Sequence, residues 1–295
     1  MRDEAALIAE FARDERLPPA FSDLAARLHR PLAARIAAWT ATAERRPLVV
    51  GVCGPQGSGK STLTALLAWL LEARDLRAAV LSIDDLYLSH AARQALAREV
   101  HPLLATRGVP GTHDPALGVA VLEALGQPGP VVLPRFDKAR DDPAPEAERP
   151  VFDGPADIVL LEGWCVGARP QPAPLLADPI NRLEREEDAD GLWRGYANAA
   201  LAGPYRSLFQ RLDRLVLLLA PDFEVVRRWR GQQEERLRQR LIAQGRDPDL
   251  AMDETQLDRF VAHYERLTRW IAEDLPAAAD VVLRLDAERR PAETF

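Results

Sequence analysis

Lysine is almost missing from this 295-residue chain: of 38 basic residues, only Lys60 and Lys138 are lysines. Arginine serves wherever either cation would do, so a position that keeps lysine calls for a compact ammonium rather than a flat guanidinium. Cysteine is scarce too. Cys53 and Cys165 each lie in an apolar run near a glycine, a pattern that excludes a disulfide framework and fits buried thiols in a reducing compartment. No stretch approaches the ~20 apolar residues needed to cross a bilayer. The acidic start "MRDEAALIAEF" reads neither as a secretory signal nor as an arginine-rich transit peptide. A cytoplasmic protein with no membrane partner is expected. Positive charge is not in excess either. A formal net charge of -7 argues against a nucleic-acid partner, which would be held by a basic face. There is no ligand spacing of the zinc type and no persuasive Ser-His-Asp or Cys-His-Asp grouping.

What is present is a chain 47% hydrophobic, long enough to bury a large core and short enough for one domain over residues 1–295. Short apolar runs at "RPLVVGVCG", "RAAVLSIDD", "PVVLPRFDK", "ADIVLLEGW", "LDRLVLLLAP" and "ADVVLRLD" read as buried strands, with helix-like segments between them. That alternation predicts a three-layer α/β/α fold on a mainly parallel sheet, which binds ligands beyond the carboxyl ends of its strands. Gly54, Asp84, Asp85, Arg135, Asp137 and Glu162 stand at the ends of four of these runs. They are expected to converge on one cleft. Residues 1–45 read as an amphipathic helical lead-in broken near Pro31, and 167–205 as an insertion over the substrate cleft.

Gly54 to Ser61, "GPQGSGKS", has the phosphate-loop spacing of Gly, four residues, Gly-Lys-Ser. Gly54, Pro55, Gln56, Gly57, Ser58 and Gly59 would turn backbone N–H groups inward. Lys60, Ser61 and Thr62 open a helix whose positive end faces the phosphates. Lys60 would meet the terminal phosphates of ATP, and Ser61 with Glu162 would ligate Mg²⁺. No Asn-Lys-x-Asp occurs, which argues against a GTPase. Asp84 in "SIDDLYL" is the candidate base for a hydroxyl acceptor, although one acid of that pair is also suited to capping a helix. "RGVPGTHDP" and "LPRFDK" contribute cations able to pair with an acceptor's carboxylate. Tyr87, Arg107, His113, Asp114 and Arg135 are the candidate substrate residues. The arginine-dense "PDFEVVRRWRGQQEERLRQR" reads either as a solvated helix or as a lid whose Arg227, Arg228 and Arg230 meet the transferring phosphoryl group.

Taken together, "GPQGSGKSTL", "SIDDLYL", "RGVPGTHD", "LPRFDK", "LEGWCVG", "NRLEREEDADGLWRGYAN", "WRGQQE" and "FVAHYERLTRW" resemble the plant and fungal type of D-glycerate 3-kinase and its bacterial relatives, in the wider group of uridine kinase, phosphoribulokinase and pantothenate kinase. The resemblance runs from about residue 47 to Leu285 and leaves the first 45 residues uncovered. It implies a P-loop kinase that phosphorylates D-glycerate at its 3-hydroxyl with ATP and Mg²⁺, with Asp84 as base. Two alternatives stay open: a kinase of another small hydroxy compound, nucleoside or pantothenate-like, and a nucleotide-dependent regulator or chaperone with no acceptor. The sequence is silent on oligomeric state.

Overall fold

The computed structural model describes residues 3–291. Its strands are β1 (Leu48–Cys53), β2 (Ala78–Ser82), β3 (Gly129–Val132), β4 (Phe136–Asp137), β5 (Asp142–Pro143), β6 (Val151–Gly154), β7 (Ile158–Gly163), β8 (Arg214–Leu219) and β9 (Val281–Arg284). Five of them form a parallel sheet in the order β2-β7-β1-β8-β9. β1 and β7 are buried along their whole length, as continuous apolar runs at the centre of a parallel sheet must be. Alternate residues of β1 feed opposite cores. Leu48, Val50 and Val52 join Ile36, Leu66, Leu67 and Leu70 on one face, while Val49 and Cys53 join Leu122, Leu125 and Tyr205 on the other. Each fully buried leucine there contributes roughly 1.5–3 kcal/mol. Helices therefore cover both faces, and the fold is the three-layer α/β/α arrangement of P-loop proteins. None of its helices is long and apolar enough to cross a membrane, among the described residues.

The strand register sets up the site. Glu162 pairs with Val52 on one side and Ser82 on the other, so the loop from Gly54 and the turn holding Asp84 leave the same edge of the sheet as Glu162. β1 sits where chain order reverses direction, the position at which such sheets bind ligands.

Two expectations are corrected. "PVVLPRFDK" is not a strand of the parallel sheet: β3 pairs antiparallel with β6, and β4 with β5, in two separate ribbons. Pro130 and Pro134 lack the N–H that an interior strand must donate, which confines the segment to ribbons at the margin. In the lead-in, the chain stays helical through Pro31. A π-helical turn, Ala25–His29, precedes the Arg30–Ala41 helix and widens the coil where the proline ring would otherwise press on the preceding turn. The break falls earlier, between the Glu4–Asp14 and Ala20–Leu24 helices, at Pro18 and Pro19. The lead-in packs on the Lys60–Glu72 helix, with Phe11 edge-on to Trp69 at 5.4 Å and Glu4 bound by Arg74 at 2.8 Å.

The segment 167–205 is more ordered than its composition suggested. It carries the Arg182–Glu187 and Leu192–Ala202 helices and a small core in which Leu183 and Trp193 meet Leu103, Leu104 and Val109. Buried ion pairs hold it. Arg266 donates to both oxygens of Glu184 at 2.7 and 2.6 Å and to the carbonyls of Leu175 and Asp178. Arg194 binds Asp188 at 2.8 Å and the carbonyls of Leu176 and Ala177. The acids of "NRLEREEDADGLWRGYAN" thus build the scaffold.

Candidate active site

The phosphate loop has the backbone its glycines permit. Gly57 and Gly59 have φ of +76° and +87°, a region open to glycine and strained for other residues. Gly59 directly precedes the Lys60–Glu72 helix, so the loop's N–H groups and the helix N-terminus share one anion-binding end. The loop is braced from outside. A Cβ on Gly57 would lie 2.7 Å from the Cβ of Trp229, and Arg289, stacked over the Trp229 ring at 5.0 Å, donates to the Gly57 carbonyl and at 2.8 Å to Gln232. Gly57→Ala should therefore weaken nucleotide binding at least about tenfold through combined strain and clash. Calorimetric titration with ADP checks this, and an affinity within twofold of the parent would refute the bracing role.

At the neighbouring strand ends, Ser61 Oγ donates to Glu162 Oε1 at 3.2 Å. Glu162 Oε2 and Ser58 Oγ are buried without hydrogen-bond partners. Buried polar atoms are rarely left so unless a ligand completes them, and a carboxylate oxygen beside a serine hydroxyl is a hard-cation donor set.

Asp84 follows β2, at the same end of the sheet as Glu162. Its Oδ1 accepts from Tyr87 Oη at 3.1 Å and its Oδ2 from Lys138 Nζ at 2.7 Å. Burial works against the charged form, but Lys138 and Lys60 outweigh it and hold the Asp84 carboxyl down to about 2. Asp85 goes the other way. Burial raises it, partly offset by the Phe136 N–H and Arg135. The two adjacent acids thus have separate tasks: Asp84 is an ionised group facing the cleft, and Asp85 anchors the β4–β5 ribbon through the Phe136 N–H at 3.0 Å. Capping of the Ile83–Leu86 turn falls to Ser82, which accepts from the Asp84 N–H.

His113 lies flat against Tyr87, ring centroids 4.3 Å apart. Its Nδ1 is 2.5 Å from Tyr205 Oη, which also accepts from the Gly111 N–H. Its Nε2 is a buried atom with no partner. Burial pushes the ring down to about 4, so at neutral pH it is uncharged.

The other candidates have protein partners of their own. Asp114 is a helix cap: its side chain accepts from Leu117 N–H at 2.9 Å at the start of the Pro115–Leu125 helix. A short polar side chain just before Pro115 is the usual N-cap. Arg107 is committed to Asp141, which also receives Arg93 at 2.7 Å and His90 at 3.0 Å. Those partners bring Asp141 down to about 2 despite the cost of burial. Arg135 reaches Asp85 at 3.4 Å and is 58% exposed, so it is held loosely. Arg227 turns to Asp258 at 2.6 Å. Arg230 pairs with Glu234 and lies 4.9 Å over Phe260, and Arg228 is exposed. The Phe223–Ala243 helix is packed by Val225, Val226 and Trp229, and Trp229 is its contact with the phosphate loop, at Gly57.

No family model matches the chain. It is 35% identical over 232 residues to an uncharacterized kinase, mug58, of Schizosaccharomyces pombe, covering 75% of this chain and 79% of that one. It is 33% identical over 229 residues to the chloroplastic D-glycerate 3-kinase of Arabidopsis thaliana, covering 74% of this chain and 46% of the relative. A solved D-glycerate 3-kinase from Cryptococcus neoformans superposes with a TM-score of 0.71 at 26% identity, over 90% of this chain and 98% of that one. The chain belongs to the family of P-loop kinases that includes the Schizosaccharomyces pombe kinase, and it is similar to D-glycerate 3-kinases. It is accordingly a nucleotide-using phosphotransferase.

Several parts of this kinase's site lay outside the sequence reading. Lys138 is at the centre, and its one outward sign is that lysine was kept where arginine is the rule. Tyr264 approaches so closely that a Cβ on Gly108, at φ +143°, would overlap its hydroxyl. Arg93, 1% exposed, ties Leu88, Ala105 and Asp141 together through their carbonyls. Neither had a local pattern to reveal it.

Proposed function

We propose that this kinase transfers the γ-phosphoryl group of ATP to the 3-hydroxyl of D-glycerate, forming 3-phosphoglycerate and ADP. The observation that carries the reading is Asp84: an ionised carboxylate, hydrogen-bonded by Tyr87 and Lys138, just beyond β2, which β7 separates from the strand leading into the phosphate loop. The 33% identity to a relative named for this activity supports the choice of acceptor.

The acceptor hydroxyl would donate to Asp84 as its oxygen forms a bond to the γ-phosphorus. The bond from that phosphorus to the β–γ bridging oxygen breaks, ADP leaves, and the hydroxyl proton passes to Asp84. The transition state is loose, so positioning and charge neutralisation supply most of the rate. Lys60 meets the developing charge on the phosphates. Ser61 and Glu162 are the residues fitted to hold Mg²⁺, because Glu162 keeps a buried carboxylate oxygen without a partner. When bound, the ion neutralises phosphate charge. His113 would hydrogen-bond a further oxygen of the acceptor through Nε2, a buried atom with no other partner.

The test is a panel of hydroxy acids, nucleosides and pantothenate offered with ATP and Mg²⁺, scored by ADP release with the product identified. D-glycerate giving 3-phosphoglycerate is the expected result. Turnover of a nucleoside or pantothenate while glycerate stays inert would replace this reading.

A further inference from the structure

We infer that Lys138 is the residue by which this kinase selects an acceptor bearing its own carboxylate: it neutralises Asp84 at rest and passes to the acceptor's carboxylate when substrate binds, freeing Asp84 for the hydroxyl. This rests on the reading above that the acceptor is a small hydroxy acid.

Three observations carry it. Lys138 Nζ lies 2.7 Å from Asp84 Oδ2, with its side chain 59% exposed and Asp84 31% exposed. The pair is therefore reachable from the cleft, and in the exchange the ammonium trades one charge-assisted contact for another. The ribbon that carries Lys138 is fixed in place. The Phe136 N–H is bound by Asp85, and the Arg107 and Arg93 guanidinium groups stand 5.7 and 6.0 Å over the Phe136 ring. Its backbone position is thus set while the ammonium stays free to swing. Of the competing cations, Arg107 is locked on Asp141; Arg135 is as exposed as Lys138 but faces Asp85 rather than Asp84, and the Lys138→Met and Arg135→Met variants tell the two apart.

Distance adds a reason for lysine. In a three-carbon acid the terminal hydroxyl and the carboxylate are separated by only the carbon chain, so a hydroxyl seated on Asp84 brings the carboxylate close to Asp84's own cation. A compact ammonium on a flexible stem can follow an anion over that short step, where a planar guanidinium would have to re-form a two-pronged contact. An acceptor with no negative charge would leave Lys138 on Asp84, and the hydroxyl would then have to compete with the ammonium for that oxygen. Exchange of the cation thus makes acceptor charge a condition for acceptor activation.

The experiment measures glycerate binding by calorimetry in the presence of ADP, together with kcat and KM, for the full-length kinase and for Lys138→Met, Lys138→Arg, Asp84→Asn and Arg135→Met. Lys138→Met should raise both the dissociation constant and KM for glycerate by about 10- to 100-fold, the range set by a hydrogen bond to a charged group, with kcat changed far less. Lys138→Arg should recover part of that loss. Asp84→Asn should bind glycerate as tightly as the parent or tighter, since Lys138 no longer has to leave an acid.

Glycerate affinity within twofold of the parent in Lys138→Met overturns the proposal, as does a loss in Asp84→Asn equal to that in Lys138→Met, which would make the pair a structural unit. Loss of affinity in Arg135→Met alone assigns the role to Arg135. The underlying reading fails separately. If the parent ignores glycerate but phosphorylates another hydroxy acid, the same four variants judge Lys138 on that acid; if only neutral acceptors are turned over, both inferences fall.

Discussion

Replacing Asp84 with asparagine should lower turnover by roughly 10²- to 10⁴-fold, the range over which a positioned general base acts, while leaving KM for ATP little changed. Asparagine keeps the shape and still accepts the Tyr87 hydroxyl that now lies 3.1 Å away. It loses the negative charge that aligns the acceptor and takes up its proton. A carboxyl held near 2 is a weak base in the resting enzyme. Its strength must rise as the reaction proceeds, and departure of a neighbouring cation is the direct way to raise it. The sign of the pH effect follows from the same shift. Because the folded value lies below the ordinary 3.8, the contribution of this ion pair to stability is complete above that value and is lost as pH falls toward 2. Turnover of Asp84→Asn within a few-fold of the parent, in a protein of unchanged melting temperature, would remove Asp84 from the chemistry.

The second large effect lies far from the phosphate loop. Glu184→Gln should cost about 3–5 kcal/mol of stability, because Arg266 would keep its charge in a buried place with its carboxylate gone. Glu184 is fully buried and Arg266 only 9% exposed, and two of the guanidinium's bonds go to carbonyls of residues 175–178. Chemical denaturation followed by tryptophan fluorescence would read the change. The double variant Glu184→Leu/Arg266→Met should recover a substantial part of the loss, since exchanging a buried pair for apolar side chains of similar volume is often neutral or better. Equal losses in the single and the double variant would mean that the pair's hydrogen bonds to backbone, rather than its charge balance, hold the segment.

How far the sequence could be read depended on whether a residue's task was local. β1, β7 and β8 declared themselves as apolar runs because both of their faces are buried, and the edge strands β2 and β9 share that apolar composition although Val80 and Arg284 are exposed. The phosphate loop declared itself because backbone geometry and spacing are one requirement there. "PVVLPRFDK" misled because it is equally apolar, and only the prolines at 130 and 134 spoke against a place in the main sheet. Asp84 was legible from its strand end, whereas the partner that sets its charge is 54 residues away on a ribbon with no periodic signature. Asp114 also caps a helix, a task the sequence did not separate from ligand binding because the two kinds of acid look alike in a turn. The acidic insertion was read by composition as cleft covering, and its acids proved to be paired in three dimensions with Arg194 and Arg266.

Arg93 gives the molecule a further property. A single guanidinium, fully enclosed, fastens the carbonyls of Leu88, Ala105 and Asp141, three points on separate stretches of chain. The three stretches are thereby fastened into one plate, which on the proposed reading faces the acceptor. Side chains displayed on that plate are free to vary by single substitutions without disturbing the spacing across which the phosphoryl group travels. New acceptor preferences are therefore accessible to such a scaffold by small evolutionary steps, while its donor half stays constant.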